Sequence, residues 1–192
     1  MRNLFILLLG TILLLACSPE TSEENATPLG DWRHHGGNHR SEKYSPLDQV
    51  NGSNFGLLEV AWRYRSPDLE LPEELAYPTG DYRAMPLVIN GVMYVNSNHG
   101  LISALDPVTG EEHWVFDPKS YEYGPPLFSP LQTRGIEYWT DGNIERLFIA
   151  TSGKQLVSVD IETGQPDPNF GDDGYVDLRE NFGRFEFEMN NI

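Results

Sequence analysis

Cys17 is the only cysteine of the 192-residue sequence, and it ends the tetrapeptide Leu14-Leu15-Ala16-Cys17, which resembles the bacterial lipobox. At such a box a signal peptidase cuts before the cysteine, and the thiol carries a diacylglyceryl group. The upstream residues agree with this reading. Arg2 gives a basic start, and Leu4 to Leu15 form an apolar run interrupted only by Gly10 and Thr11. That run is too short to span a bilayer as a stable helix. The sequence therefore predicts a lipoprotein signal peptide over residues 1–16 and lipid attachment at Cys17. The mature chain is expected in the periplasm, held to a membrane, the outer one, by that anchor. A lone cysteine cannot form an internal disulfide.

Other residues have the right types for chemistry but not the right spacing. His34, His35 and His39 lie in a Gly-rich stretch without Cys, Asp or Glu at ligand spacing, so no metal site is predicted there. The acidic run from Asp167 to Gly174 has Gly171 at the fifth position and no bidentate Glu at the twelfth, which argues for a solvated turn and against a calcium loop. Ser152-Gly153-Lys154 lacks the earlier glycine that a phosphate loop needs. A formal charge of −16 argues against a nucleic-acid partner, because phosphate binding draws on clustered Lys and Arg.

The elements that must position any site follow from the pattern of apolar residues. Residues 17–29 are rich in Ser, Thr, Glu and Pro and predict a flexible tether, leaving 30–192 as the folded part. No stretch of the mature chain keeps a helical period for three turns, and short β-rich runs recur between Gly, Asn and Asp, so the class is all-β. Pro86 to Ile89, Val92 to Val95, Leu101 to Leu105 and Glu112 to Phe116 predict four strands, the first two joined by the hairpin signal Asn90-Gly91. This is the antiparallel meander of a propeller blade. Ile136 to Thr140, Arg146 to Ala150 and Gln155 to Asp160 predict three strands of a second unit. The turns Asp106-x-x-Thr109-Gly110 and Asp160-x-x-Thr163-Gly164 are 54 residues apart, and Trp62 and Trp114 are 52 apart. Two markers of nearly equal period predict a repeat array.

Ala104-x-Asp106-x-x-Thr109-Gly110-x-x-x-Trp114 matches the tryptophan-docking motif of the pyrroloquinoline-quinone (PQQ) propellers. In it Asp and Thr close the turn, Gly takes a conformation other residues resist, and Trp packs against the neighbouring blade. The second copy has Ser158 for Ala, and Pro168 falls where Trp is expected, which predicts weaker docking or a long excursion. Trp32-x-x-x-Gly36-Gly37, Tyr44 to Asn51, Leu58 to Trp62 and Arg134 to Trp139 also resemble segments of the quinoprotein glucose and alcohol dehydrogenases, and Phe170 to Leu178 is similar to a segment of the glucose-dehydrogenase branch.

The resemblance implies an eight-bladed propeller with PQQ near its axis, usually with Ca²⁺. It implies an oxidoreductase in which an aspartate takes the hydroxyl proton of a sugar or alcohol, hydride passes to the quinone, and a quinone or cytochrome accepts the electrons. The catalytic aspartate and metal ligands are expected in later blades, beyond Ile192; at roughly 50 residues per blade the chain supplies a fraction of the ring. Alone it is expected to be inactive. Among its own residues, Arg134 matches the arginine that faces a PQQ carboxylate, a task suited to a planar, permanently charged donor fork. Arg83 lies where alcohol-oxidising relatives place a glutamate near PQQ, with the charge reversed. Pro130 to Thr133 contain neither the cysteine pair of the alcohol branch nor the histidine of the membrane glucose branch, so the substrate stays open. A non-enzymatic propeller lipoprotein that assists outer-membrane assembly is the alternative.

Overall fold

The computed structural model describes residues 30–75, 77–123 and 134–180. They form two four-stranded antiparallel sheets, each a meander in sequence order. The first contains β1 (Leu87–Ile89), β2 (Val92–Asn96), β3 (Ile102–Leu105) and β4 (Glu112–Phe116). The second contains β5 (Glu137–Thr140), β6 (Glu145–Ala150), β7 (Gln155–Asp160) and β8 (Tyr175–Asp177).

Seven of these strands lie where the apolar runs predict them, with small shifts at their ends. Pro86 stays outside β1, having no N–H to offer the ladder. Asn90 and Gly91 adopt φ values of +51° and +80°, the geometry of the tight turn whose twist matches the flanking strands. The eighth strand is a correction: Tyr175–Asp177 is short and follows a loop rather than a tight turn, so no periodicity marks it.

Alternation along the strands creates the core. Leu87, Tyr94, Ala104 and Trp114 stand opposite one another across β1 to β4, on one face of the sheet. Tyr138, Leu147 and Val159 form the row on the second sheet that faces it. These rows belong to one buried cluster with Ile89, Ile102, Ile149 and Val157, so the main core lies between the sheets. β3 buries all of its residues because its other face is covered too. There Tyr64 reaches Ser103 and the Trp62 ring lies against the Gly110 turn.

The two β-turns marked by Thr-Gly are built alike. Asp106 Oδ1 accepts from the N–H of Val108 and Thr109, at 2.7 and 2.8 Å, and Asp160 Oδ1 accepts from Thr163 N at 2.8 Å. Those backbone donors hold the Asp106 carboxyl below the usual range. Gly110 and Gly164 have φ of +74° and +68°, and each lies flat against an indole. A Cβ at Gly110 would stand 2.6 Å from the Trp62 ring; one at Gly164 would stand 2.5 Å from the Trp114 ring. Trp114 therefore docks the first sheet onto the turn of the second.

The register corrects the expected place of Pro168. β7 pairs with β8 through Val157 and Tyr175, as β3 pairs with β4 through Ser103 and Val115. Gly174, not Pro168, consequently stands in the row of Trp114, with its carbonyl accepting from Ser158 N. The intervening residues bulge over the face of the second sheet that points away from the first. They seat Phe170 edge-on against Phe148, with ring centroids 5.3 Å apart, and Asp167 on Arg146 at 2.6 Å. Asp167 is 5% exposed, so this loop is not the solvated turn its acidity predicts.

Candidate functional site

Antiparallel order places certain loops together. The approach to β1, the β2–β3 turn, the approach to β5 and the β6–β7 turn all lie at one end of the sheets, here called the upper end. Tyr123 contacts Gln155 of β7, and Gly100 of the β2–β3 turn lies beside Ile149 of β6, so the two sheets share that end.

Arg83 and Arg134 both lie there, each just ahead of the first strand of its sheet though not at the same register position. Arg83 is exposed and pairs with Asp81 at 3.3 Å. Arg134 is exposed, and among the described residues it has no hydrogen bond or ion pair. The next residue, Gly135, turns the chain into β5 with φ of +131°, a conformation that a side chain would oppose. Among the described residues no group occupies the Arg134 guanidinium, a donor fork of the kind carboxylates bind. PQQ carries carboxylates, and an exposed guanidinium ahead of the first strand of each sheet suits such a group. The structure does not bring the two arginines into contact. Pro130 to Thr133 and Cys17 lie outside the described residues.

A strap formed by residues 31–34 runs along the edge of β1. Trp32 exchanges two backbone hydrogen bonds with Val88, at 2.7 and 3.0 Å. Asp31 holds Arg33 at 2.9 Å, which turns the guanidinium toward Asn90 and over the Tyr138 ring at 5.5 Å. His34 Nδ1 pairs with Glu137 Oε1, and its ring leans on His39 with centroids 4.0 Å apart. These histidines therefore link the strap to the second sheet; among the described residues no group of three or more His, Cys, Asp or Glu could hold a metal ion. Tyr138 in turn donates to Glu145, and burial together with that carboxylate pushes its hydroxyl up to about 12.

Beside Arg83 the upper end opens into a cavity of about 690 Å³, lined by Tyr64, residues 66–69 and 77–79, Tyr82, the end of β2 and the β2–β3 turn. Its most buried ionisable pair is Asp68 and His99, with Oδ2 and Nδ1 3.0 Å apart. Burial raises the Asp68 carboxyl, but hydrogen bonds from His99 and Ser97 and the charge of His99 outweigh it, leaving the group below its ordinary value. Tyr64 forms the floor. Its hydroxyl donates to Glu112 at 2.5 Å and stands 2.9 Å from Ser103 Oγ, and burial first, then Glu112, pushes it up to about 12. Sequence reasoning missed Asp68, His99 and Tyr64 because they are far apart in the chain and belong to no spaced motif. Only the fold juxtaposes them.

Comparison with known proteins agrees with this architecture. The family model of the PQQ glucose/ethanol/alcohol dehydrogenase β-propeller domain matches residues 32–191. The quinoprotein glucose dehydrogenase of Gluconobacter oxydans is 30% identical over 172 residues, covering 82% of this chain and 21% of that protein. The dehydrogenase subunit of a quinone-dependent alcohol dehydrogenase from the same organism is 33% identical over 146 residues, covering 76% of this chain and 17% of its own length. The crystal structure of quinohemoprotein alcohol dehydrogenase from Comamonas testosteroni superposes with a TM-score of 0.61 at 25% identity, over 83% of this chain and 21% of that one. The chain spans about a fifth of the length of these relatives. With two meander blades, a docked tryptophan and a family match over most of its length, this chain belongs to the PQQ glucose/ethanol/alcohol dehydrogenase β-propeller family.

Proposed function

We propose that this chain contributes two blades to an eight-bladed quinoprotein that oxidises a CH–OH group of a sugar or alcohol and passes the electrons to a quinone or cytochrome. The observation that carries the reading is an exposed arginine just ahead of the first strand of each blade in a chain of this family. PQQ, when bound, supplies the two-electron acceptor. Arg134 holds one of its carboxylates through a charge-assisted fork, and Arg83 adds positive potential beside it. Ca²⁺ accompanies the cofactor, bound by residues other than those described. The relatives named for glucose and for alcohol oxidation support the substrate class without choosing within it.

The test is a PQQ titration followed by dye-linked turnover with glucose and ethanol in the presence of Ca²⁺. The 192-residue chain alone is expected to be inactive, because two blades surround a cofactor on one side only. A protein carrying this chain with the remaining blades of its ring should turn over. In that protein Arg134→Ala should weaken PQQ binding about ten- to a hundredfold, the loss of one charge-assisted pair at about 1.5–3 kcal/mol. Unchanged affinity would remove Arg134 from the site, and turnover by the chain alone would overturn the claim that more blades are needed.

The Leu14 to Cys17 box supports membrane attachment through a lipid on Cys17. Expressed in a Gram-negative host, the parent should incorporate labelled palmitate and sediment with membranes, and Cys17→Ala should do neither. Labelling that survives the substitution would exclude this anchor.

A further inference from the structure

Trp62 repeats the docking of Trp114 atom for atom. A Cβ on Gly110 would meet Trp62 Cδ2, Cε3 and Cγ at 2.6, 2.8 and 2.9 Å, and one on Gly164 would meet the same atoms of Trp114 at 2.5, 2.6 and 3.0 Å. The neighbours of the two rings match as well. Val60, Ala61 and Arg63 are exposed while Trp62 and Tyr64 are half-buried, and Glu112 to Phe116 follow the same order with only Phe116 deeper. Trp62 Nε1 donates to Pro107 O at 3.1 Å, and Tyr64 reaches Ser103 and Glu112, so side chains fasten this segment to the first sheet.

Its backbone is not fastened. From Glu59 to Arg65 no N–H or C=O has a hydrogen-bond partner among the described residues, whereas β4 pairs with β3 along its length. Bare ladder groups of this kind are a template for another strand. Neither sheet supplies one, since each already holds its fourth strand. Phe55, Leu57, Leu58 and Val60, beside the bare ladder, are exposed apolar residues of the same segment.

Position identifies the missing partner. Trp114 lies in the outermost strand of its blade and docks that blade onto the turn of the next. Trp62, by the same geometry, lies in the outermost strand of a blade that docks onto the first. That blade stands before the first in the order of the ring, and in a closed ring the blade before the first is the last. We propose that residues 60–64 are the outermost strand of the last blade, held ready on the first blade until the third strand of the last blade pairs with it. Closure of this kind rests on the multi-blade ring of the proposed function but requires no PQQ.

The first sheet gives the register. Val88 spends its N–H and C=O on Trp32, outside the sheet, so alternation across β1 to β4 turns those of Trp114 and Phe116 toward β3 and those of Val115 outward. Trp62 and Trp114 are 52 residues apart, and the same offset turns Trp62 and Tyr64 toward the incoming strand and Arg63 toward solvent.

Residue-resolved hydrogen exchange tests this, comparing the 192-residue chain with the protein that carries the remaining blades. In the longer protein the amides of Trp62 and Tyr64 should exchange about a hundredfold or more slowly than in the 192-residue chain, while that of Arg63 changes little. Tyr64→Pro removes an inward N–H and should lower the melting temperature of the longer protein well below that of Tyr64→Ala, which removes only the side chain. In the 192-residue chain the two variants should melt nearly alike. Fast exchange at Trp62 and Tyr64 in the longer protein, or equal protection at all three residues, would overturn the proposal. So would protection in the 192-residue chain that rises with its concentration, which marks a second copy as the partner. A PQQ titration of the longer protein separates the two readings: a protected strand without PQQ binding counts against the quinoprotein reading alone, and PQQ binding with an unprotected strand counts against this closure alone.

Discussion

The two blades share three strands and part company at the fourth. In the first, the turn from Asp106 to Gly110 leads directly into β4, and Trp114 lands opposite Ala104 with its ring against the Gly164 turn. In the second, the turn from Asp160 to Gly164 keeps the bonds from Thr N to the Asp carboxylate and from Gly N to the Asp carbonyl, but the chain then leaves the ladder at Asp167 and rejoins it at Tyr175. Gly174 takes the place of the docking ring, and a Cβ there would stand 2.5 Å from Pro166. The second blade fastens the detour with the Arg146–Asp167 pair and the Phe148–Phe170 contact instead. The inner strands are therefore fixed by the shared core, whereas the outermost strand is free to exchange inter-blade docking for a loop tied to its own sheet.

That contrast can be broken most strongly at Trp114. Trp114→Ala removes a ring that touches both blades and should lower stability by about 3–5 kcal/mol. A denaturant titration of the parent and variant with equal m-values reads this directly, and an unchanged midpoint would show that the blades do not depend on the docked indole. Asp167→Ala should have a smaller effect, about 2 kcal/mol. Breaking a fully buried pair costs roughly 3–5 kcal/mol, but the Arg146 side chain is 16% exposed and leans on the Trp139 ring, so its charge keeps some compensation. The same titration checks it. A loss as large as that of Trp114→Ala would make the loop pair equal to the indole as a fastening.

Much of this was legible in the residues. Asn90-Gly91 and the two Thr-Gly turns marked the hairpins because particular backbone angles restrict which residues can occupy them. Trp62 and Trp114 marked the repeat because a flat ring needs a glycine to lie on, and Gly110 and Gly164 recur at matching distances. β8 was not legible, since three residues returning after a detour carry no period. Nor was the burial of Asp167, whose partner Arg146 stands on another strand. The Asp68–His99 pair was hidden for the same reason: an irregular segment meets a turn 31 residues away, and only tertiary structure specifies that meeting.

The strap of residues 31–34 has a consequence for chain entropy. Every strand pair in the two sheets joins neighbours in sequence and closes a short loop. By contrast, Arg33 reaches Asn90 across 57 residues and His34 reaches Glu137 across 103. Loop closure grows only logarithmically with length, about 0.6 kcal/mol for each doubling, so the longer clasp costs scarcely more than the shorter one. The sheets, once formed and docked, already hold Asn90 and Glu137 in place, and the strap closes both loops against a finished surface. One short segment thereby adds contacts to both blades beyond those of their shared core.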